Sequence, residues 1–428
     1  MDNLTHSVVG LGIGALVDRS LDDEPDPGRQ RVRTRLLLVV GLLASNFPDL
    51  DLVLTHLLEP PLGYLLQHRG HTHTLVGALG ELLLLLGATW LLWPGARGLL
   101  RASRPARGAL LFTAVTGLLL HIGMDSLNVY GVHPFWPLDP SWYYGDLVFI
   151  VEPVFWIGFG IPLASMVRRK RLRWLLFVLM GAVPVGVTLA GYLEWGSLAG
   201  LLVLGVALAF IQLHSRRRPR GARSRAALAA GLAASLAFVA VQAAALQQAR
   251  AIVKQQLRSL DPRAGLLDAA LSAYPANPLC WSFVTIERIG GTGGTDGTSG
   301  DGRGASVRLR RGLLSIAPAI SPVQSCPAAL GGAAGPGASA QLAWHSEQRE
   351  PVALLRTLRR TNCHVDAWLR FARAPALAPA EGVATDLRWG PPGSPNFSSL
   401  SYQQLAPLPC PHPVPDWGYP RADLLGPP

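Results

Sequence analysis

Apolar runs over residues 75–94 and 147–166 reach the roughly 20 residues that a bilayer span needs. A chain that carries such runs must satisfy its backbone inside lipid, and a run of that length does so as a helix. Eight hydrophobic segments are legible, at about 4–17, 36–47, 75–94, 108–124, 147–166, 174–193, 197–213 and 226–246. The first two would cover only roughly 18–21 Å at 1.5 Å per residue, less than the hydrocarbon core. The expected fold is therefore an all-α polytopic membrane bundle, with about six full spans and two short N-terminal helices. No positive n-region or small-residue cleavage pattern marks a removable signal sequence.

The arginines give this bundle an orientation. Twenty basic residues fall in alternate connections: five at 19–35, four at 97–107, five at 168–173 and six at 216–225. The intervening connections, 48–74, 125–146 and 194–196, hold only Arg69. The positive-inside rule then predicts the Arg-rich connections in the cytoplasm and the N-terminus outside, with the C-terminal part outside after an even number of spans. The net charge of +11 is thus explained by topology, and nucleic acid is not an expected partner.

Residues 247–428 read as a separate, β-rich extracytoplasmic domain, with the membrane domain over 1–246. A helix is expected to continue to about Leu260, and strands to follow at 281–286, 307–311 and 367–371. Residues 290–304 read as a flexible Gly-rich insert and 407–428 as Pro-rich loop. Cys280, Cys326, Cys363 and Cys410 all lie in this part, and none forms a Cys-x-x-Cys pair. That spacing argues against a zinc ribbon and allows up to two disulfides in an oxidising compartment.

The chemistry sits in four short patches: Asp2/His6, Asp49/Asp51, His68/His71/His73 and His121/Asp125. All four map to the outer face in the topology set by the arginines. Asp2 and His6, like His121 and Asp125, are four apart and share a helical face. Ionisable groups beside lipid are costly and usually functional. Imidazole and carboxylate suit zinc, and also manganese or iron. His6, Asp49, Asp51, His68, His73, His121 and Asp125 are enough to ligate two divalent ions, which could activate water and clamp a phosphoryl group. A metal-ion transporter or sensor would use the same ligands but needs a polar path across the membrane. A metal-binding scaffold without catalysis would need no such path.

The patches also resemble a known family. Met-Asp-x-x-Thr-His over residues 1–6, Ser-x-x-Pro-Asp-x-Asp over 45–51, His-Arg-Gly-x-Thr-His over 68–73 and His-x-x-x-Asp over 121–125 resemble the YdjM-type membrane-bound metal-dependent hydrolases, also described as LexA-binding and inner-membrane-associated. Residues 144–153 are similar to the family's Gly-Asp-x-x-Phe-Ile-x-Asp/Glu-Pro segment, and 274–281 to a motif of longer members, with Cys280 in place of an expected Arg. The similarity covers roughly residues 1–200. It implies a multi-pass protein of the bacterial inner membrane, and it carries LexA contact only as a family label. It implies the same seven metal ligands, leaves His71 at a variable position, and adds Asp146 as an extra ligand. It also implies that Asp2, Asp146 and Glu152 support the site, with Asp2 or Glu152 as general base. Arg69 would either bind a substrate phosphate or pair with a ligand carboxylate. The His-x-x-x-Asp pattern resembles zinc-dependent phospholipase C proteins, so the implied substrate is an amphiphilic lipid or phosphoester.

Overall fold

The computed structural model describes residues 1–215, 225–290, 305–332, 338–391 and 393–426. Ten helices of the described residues form the N-terminal part or flank its spans: α1 (Asn3–Ser20), α2 (Pro27–Ala44), α3 (Leu62–Gln67), α4 (Leu75–Leu92), α5 (Pro94–Ala102), α6 (Arg104–Ser126), α7 (Pro153–Met166), α8 (Lys170–Leu189), α9 (Trp195–Ser215) and α10 (Arg225–Leu260). Among the described residues, six apolar stretches are long enough to cross a membrane: Pro27–Leu57, Leu75–Leu92, Arg104–Ser126, Lys170–Leu189, Trp195–Ser215 and Arg225–Leu260. The chain is a helical membrane protein with a β-rich C-terminal part.

Four elements differ from the sequence expectation. The first two helices are full 18-residue helices. Asp26 caps α2 by accepting from Arg29 N, so Arg29, Arg31, Arg33 and Arg35 lie within the helix and not in a loop. Buried Arg33 pairs there with Asp18 and Glu24. The segment expected at 147–166 is helical only from Pro153, because Glu152 caps α7 and Pro153 occupies its first position. Residues 367–371, expected as a strand, lie at the end of the Cys363–Leu369 helix and just beyond it. Asn362 starts that helix by accepting from His364 N and Val365 N.

Close packing of α1 on antiparallel α2 sets the site's frame. A Cβ at Gly10 would overlap Gly41 O and Ser45 Oγ, and one at Gly14 would overlap Leu37 O. Only glycine lets these backbones approach so closely. The start of α1 therefore lies beside the end of α2, where the chain continues into the 3-10 segment Pro48–Leu57.

At 36 residues and roughly 54 Å, α10 is longer than a bilayer core is thick. It runs without interruption across the expected 246/247 division. Ala245, Ala249 and Val253 pack there on Leu271, Trp281 and Phe283. The sheet is an antiparallel meander of β1 (Gly265–Tyr274), β2 (Asn277–Ile289), β3 (Ser306–Ser315) and β4 (Leu342–Pro351), so the strands expected at 281–286 and 307–311 fall inside β2 and β3. Of the expected flexible insert, residues 291–304 lie outside the described residues. A three-stranded sheet of β5 (Pro375–Ala378), β6 (Val383–Asp386) and β7 (Leu400–Ser401) follows. Disulfides Cys280–Cys326 and Cys363–Cys410 pair all four cysteines.

The C-terminal part is docked onto the connections that carry the patches. One core joins Leu62, Leu65, Leu66 and Tyr130 to Trp368, Phe371 and Trp417. Trp417 Nε1 donates to Leu66 O at 2.9 Å, and Arg388 Nη1 to Val129 O at 2.8 Å.

Candidate metal centre

The N-terminal end of α1, the C-terminal end of α2, the start of α4 and the C-terminal end of α6 meet at one place. They bring His6, Asp49, Asp51, His68, His73, His121 and Asp125 together, all buried. Two of the imidazoles are oriented by neighbours. His121 Nδ1 lies 2.8 Å from Ser45 O, and since a carbonyl only accepts, that nitrogen carries the proton. His73 Nδ1 meets Thr72 Oγ1 at 3.1 Å, and because that hydroxyl donates its proton to Asp51 Oδ2 at 2.8 Å, this nitrogen is likewise the donor. Both imidazoles therefore present a bare Nε2 lone pair.

Those two Nε2 atoms are 3.0 Å apart. Both lie 3.5 Å from Asp49 Oδ1. Asp125 Oδ2 is 3.2 Å from the His73 nitrogen and 3.7 Å from that of His121. Neither Asp49 Oδ1 nor Asp125 Oδ2 accepts a hydrogen bond, although Arg69 Nε forms an ion pair with the latter at 3.0 Å. Four acceptor atoms thus face one another in a buried space. A cation would resolve this arrangement, and imidazole and carboxylate are donors that suit zinc.

Two overlapping groups could hold metal: Asp49, His73, His121 and Asp125 in one, and Asp49, Asp51 and His68 in the other, each with its ligand atoms within 4.8 Å of one another. Asp49 belongs to both. His68 Nδ1 is 3.0 Å from Asp51 Oδ1 and 3.9 Å from Asp49 Oδ1. Burial pulls its imidazole below the usual range, against the opposing effect of Asp51. A neutral imidazole is the form that binds a metal.

The remaining expected residues divide. His6 flanks the first group, with Nε2 at 3.2 Å from Asp125 Oδ1 and its ring stacked on His121 at 3.8 Å. The Met1 amino group also meets Asp125. Arg69 takes the carboxylate-pairing role: besides Asp125 it donates to Asn128 Oδ1 at 3.0 Å and lies over the Tyr130 ring. His71 turns away, onto Trp136 and Trp417.

Asp2, Asp146 and Glu152 stand outside both groups. Asp2 caps α1, accepting from Thr5 N at 3.0 Å. Asp146, expected as a ligand, is held by Arg373 at 2.8 and 3.0 Å and by Arg250 at 3.1 Å. Glu152, expected as a base, accepts from Val154 N and from Ala276 N in the β1–β2 turn. Both sit where the loop before α7 meets the C-terminal part, and their oxygens are occupied by that joint.

Some supports were not anticipated. Asn3 Nδ2 donates to Asp49 Oδ2 at 2.8 Å, and Thr72 Oγ1 to Asp51 Oδ2 at 2.8 Å. Thr72 is a named position of the His-Arg-Gly-x-Thr-His motif and was a usable signal, whereas Asn3 stands at an unspecified position of Met-Asp-x-x-Thr-His. The Ser45 carbonyl carries none, since every residue has one.

Residues 1–194 match the YdjM family. The family is described as YdjM inner membrane protein, and the matched stretch contains every residue of the cluster. The resemblance read from the motifs therefore holds over that stretch. The chain is also similar to the uncharacterized protein YfhP of Bacillus subtilis (strain 168), with 27% identity over 158 residues, 37% of this chain. The matched stretch spans 44% of that relative's length. No solved structure matches.

Proposed function

We propose that this chain, whose residues 1–194 match the YdjM family, is a metal-dependent hydrolase of a lipid-like phosphoester, working at the outer face of the cytoplasmic membrane. The observation that carries the reading is the buried ring of four facing acceptors, His73 Nε2, His121 Nε2, Asp49 Oδ1 and Asp125 Oδ2. Asp49 is shared with the Asp51/His68 group, which favours two ions, zinc first and manganese or iron next. Divalent ions held there would lower the pKa of water and neutralise charge on a phosphoryl group. The protein's own part is to hold the donors in place. Asn3 fixes Asp49, Thr72 and Asp51 orient His73, Ser45 orients His121, and Arg69 holds Asp125.

A lipid-like substrate is favoured by the segment that supplies Asp49 and Asp51. Those two side chains are buried, while Leu50, Val53 and Leu57 on the same 3-10 segment are exposed. One short element therefore carries ligands on one side and an apolar face on the other. The outward orientation rests on the arginine asymmetry.

The test is hydrolysis of phospholipids and isoprenoid phosphates by detergent-purified protein resupplied with zinc, manganese or iron. Phosphoester cleavage that chelator removes, and that falls at least about hundredfold in His73→Ala, is expected. Full activity in that variant would overturn the site assignment. A structural-metal scaffold is the second reading. It is favoured by the full burial of His73, His121 and Asp125 and by Arg69 already being paired with Asp125.

A further inference from the structure

A cavity of about 680 Å³ opens between α7, α9 and α10, beneath the β1–β2 turn. Its walls are Val154 of α7, Gly200 and Leu204 of α9, and Ala234 and Phe238 of α10. A Cβ at Gly196 or Gly200 would meet nothing within 4 Å, so these glycines leave the α9 wall recessed. Both α9 and α10 are long and apolar enough to cross a membrane. The recess is therefore open to acyl chains, and its helical walls are apolar apart from Ser197.

The mouth is different in character. Glu194 stands there, accepting from Ser321 Oγ at 2.9 Å and from Asn277 Nδ2. Ser321 and Asn277 are themselves buried. Among the described residues, none lining the cavity is cationic. Trp195, beside Glu194, is exposed, as side chains at a membrane–water boundary commonly are.

We infer that this recess binds one phospholipid with a primary-amine headgroup, its acyl chain between α9 and α10 and its ammonium at Glu194. Charge decides the headgroup. An anionic lipid would place its charge beside a carboxylate with no countercharge in the lining, whereas an ammonium complements Glu194. The site shares no residue with the His/Asp cluster, and the inference does not rest on the hydrolase reading.

The experiment is native mass spectrometry of the full chain, extracted in mild detergent from membranes holding phosphatidylethanolamine and phosphatidylglycerol in equal amounts. Wild type is expected to retain one phosphatidylethanolamine. Gly200→Leu fills the recess from α9 and Ala234→Leu from α10. Each should retain at least about tenfold less lipid, with an unchanged monodisperse elution in size-exclusion chromatography as the check on folding. Glu194→Gln should keep a lipid but lose the preference for the amine headgroup. Absence of retained lipid in wild type, preference for phosphatidylglycerol, or undiminished retention in whichever filled variant folds would overturn the proposal.

Discussion

Single side chains in this protein are defined by what faces them. The same imidazole belongs to the polar cluster at His73, where its Nε2 faces Asp49 and Asp125, and is packing at His133, where Trp142 and Trp417 enclose the ring. Burial pushes the His133 pKa from 6.5 down to about 3. The unfolded chain gains a proton near pH 6.5 that the folded chain refuses, so this contribution to stability is whole above that value and is lost as pH falls toward 3. Thermal unfolding should therefore come earlier at pH 5 than at pH 7.5, and His133→Phe should flatten that difference. An unchanged pH slope in the variant would assign the acid sensitivity elsewhere. Spacing made the seven cluster residues legible because ligand chemistry restricts residue types. It could not tell Asp146 from a ligand, since a carboxylate facing Arg373 and one facing a metal look identical in sequence.

At the scale of elements, most of the bundle was legible because an apolar run of span length has few alternatives. The boundaries that shifted were set by caps and not by hydropathy. Asp26 draws α2 back over its arginines, Glu152 delays α7, and Asn362 turns a strand-like run into helix. The loop before α7 is joined to the C-terminal part by Asp146, which is fully buried against Arg373. Asp146→Asn leaves that arginine with Asp268 as its acidic partner. Breaking a buried pair costs about 3–5 kcal/mol, and the remaining Asp268 pairing puts the expected loss at the low end. Denaturant unfolding should register the loss while bound metal stays at the wild-type level. Loss of metal as well would return Asp146 to the ligand set.

On the scale of the whole molecule, the C-terminal part closes over the end of the bundle where the His/Asp cluster lies. Trp417 reaches Leu66, one residue of chain from the Gln67–His68 turn, and Arg388 reaches the Val129 carbonyl behind Arg69 and Asn128. The sequence placed both parts on one side through arginine counting, yet it gave no sign of this docking, which depends on contacts between residues hundreds of positions apart. Both disulfides lie in the C-terminal part and fit an oxidising compartment. A reporter enzyme active only outside the cytoplasm, fused at the C-terminus, should be active. The same reporter fused within the 168–173 connection should be silent, and the reverse pattern would invert the topology.

The central claim is that the His/Asp cluster binds metal. Metal content by mass spectrometry on detergent-purified protein, wild type beside His121→Ala/Asp125→Ala, tests it most directly. About two transition-metal ions per chain in wild type, lost in the double variant while membrane insertion persists, is the predicted result. No bound metal in wild type purified without chelator, even after resupply of zinc, manganese or iron, would contradict it.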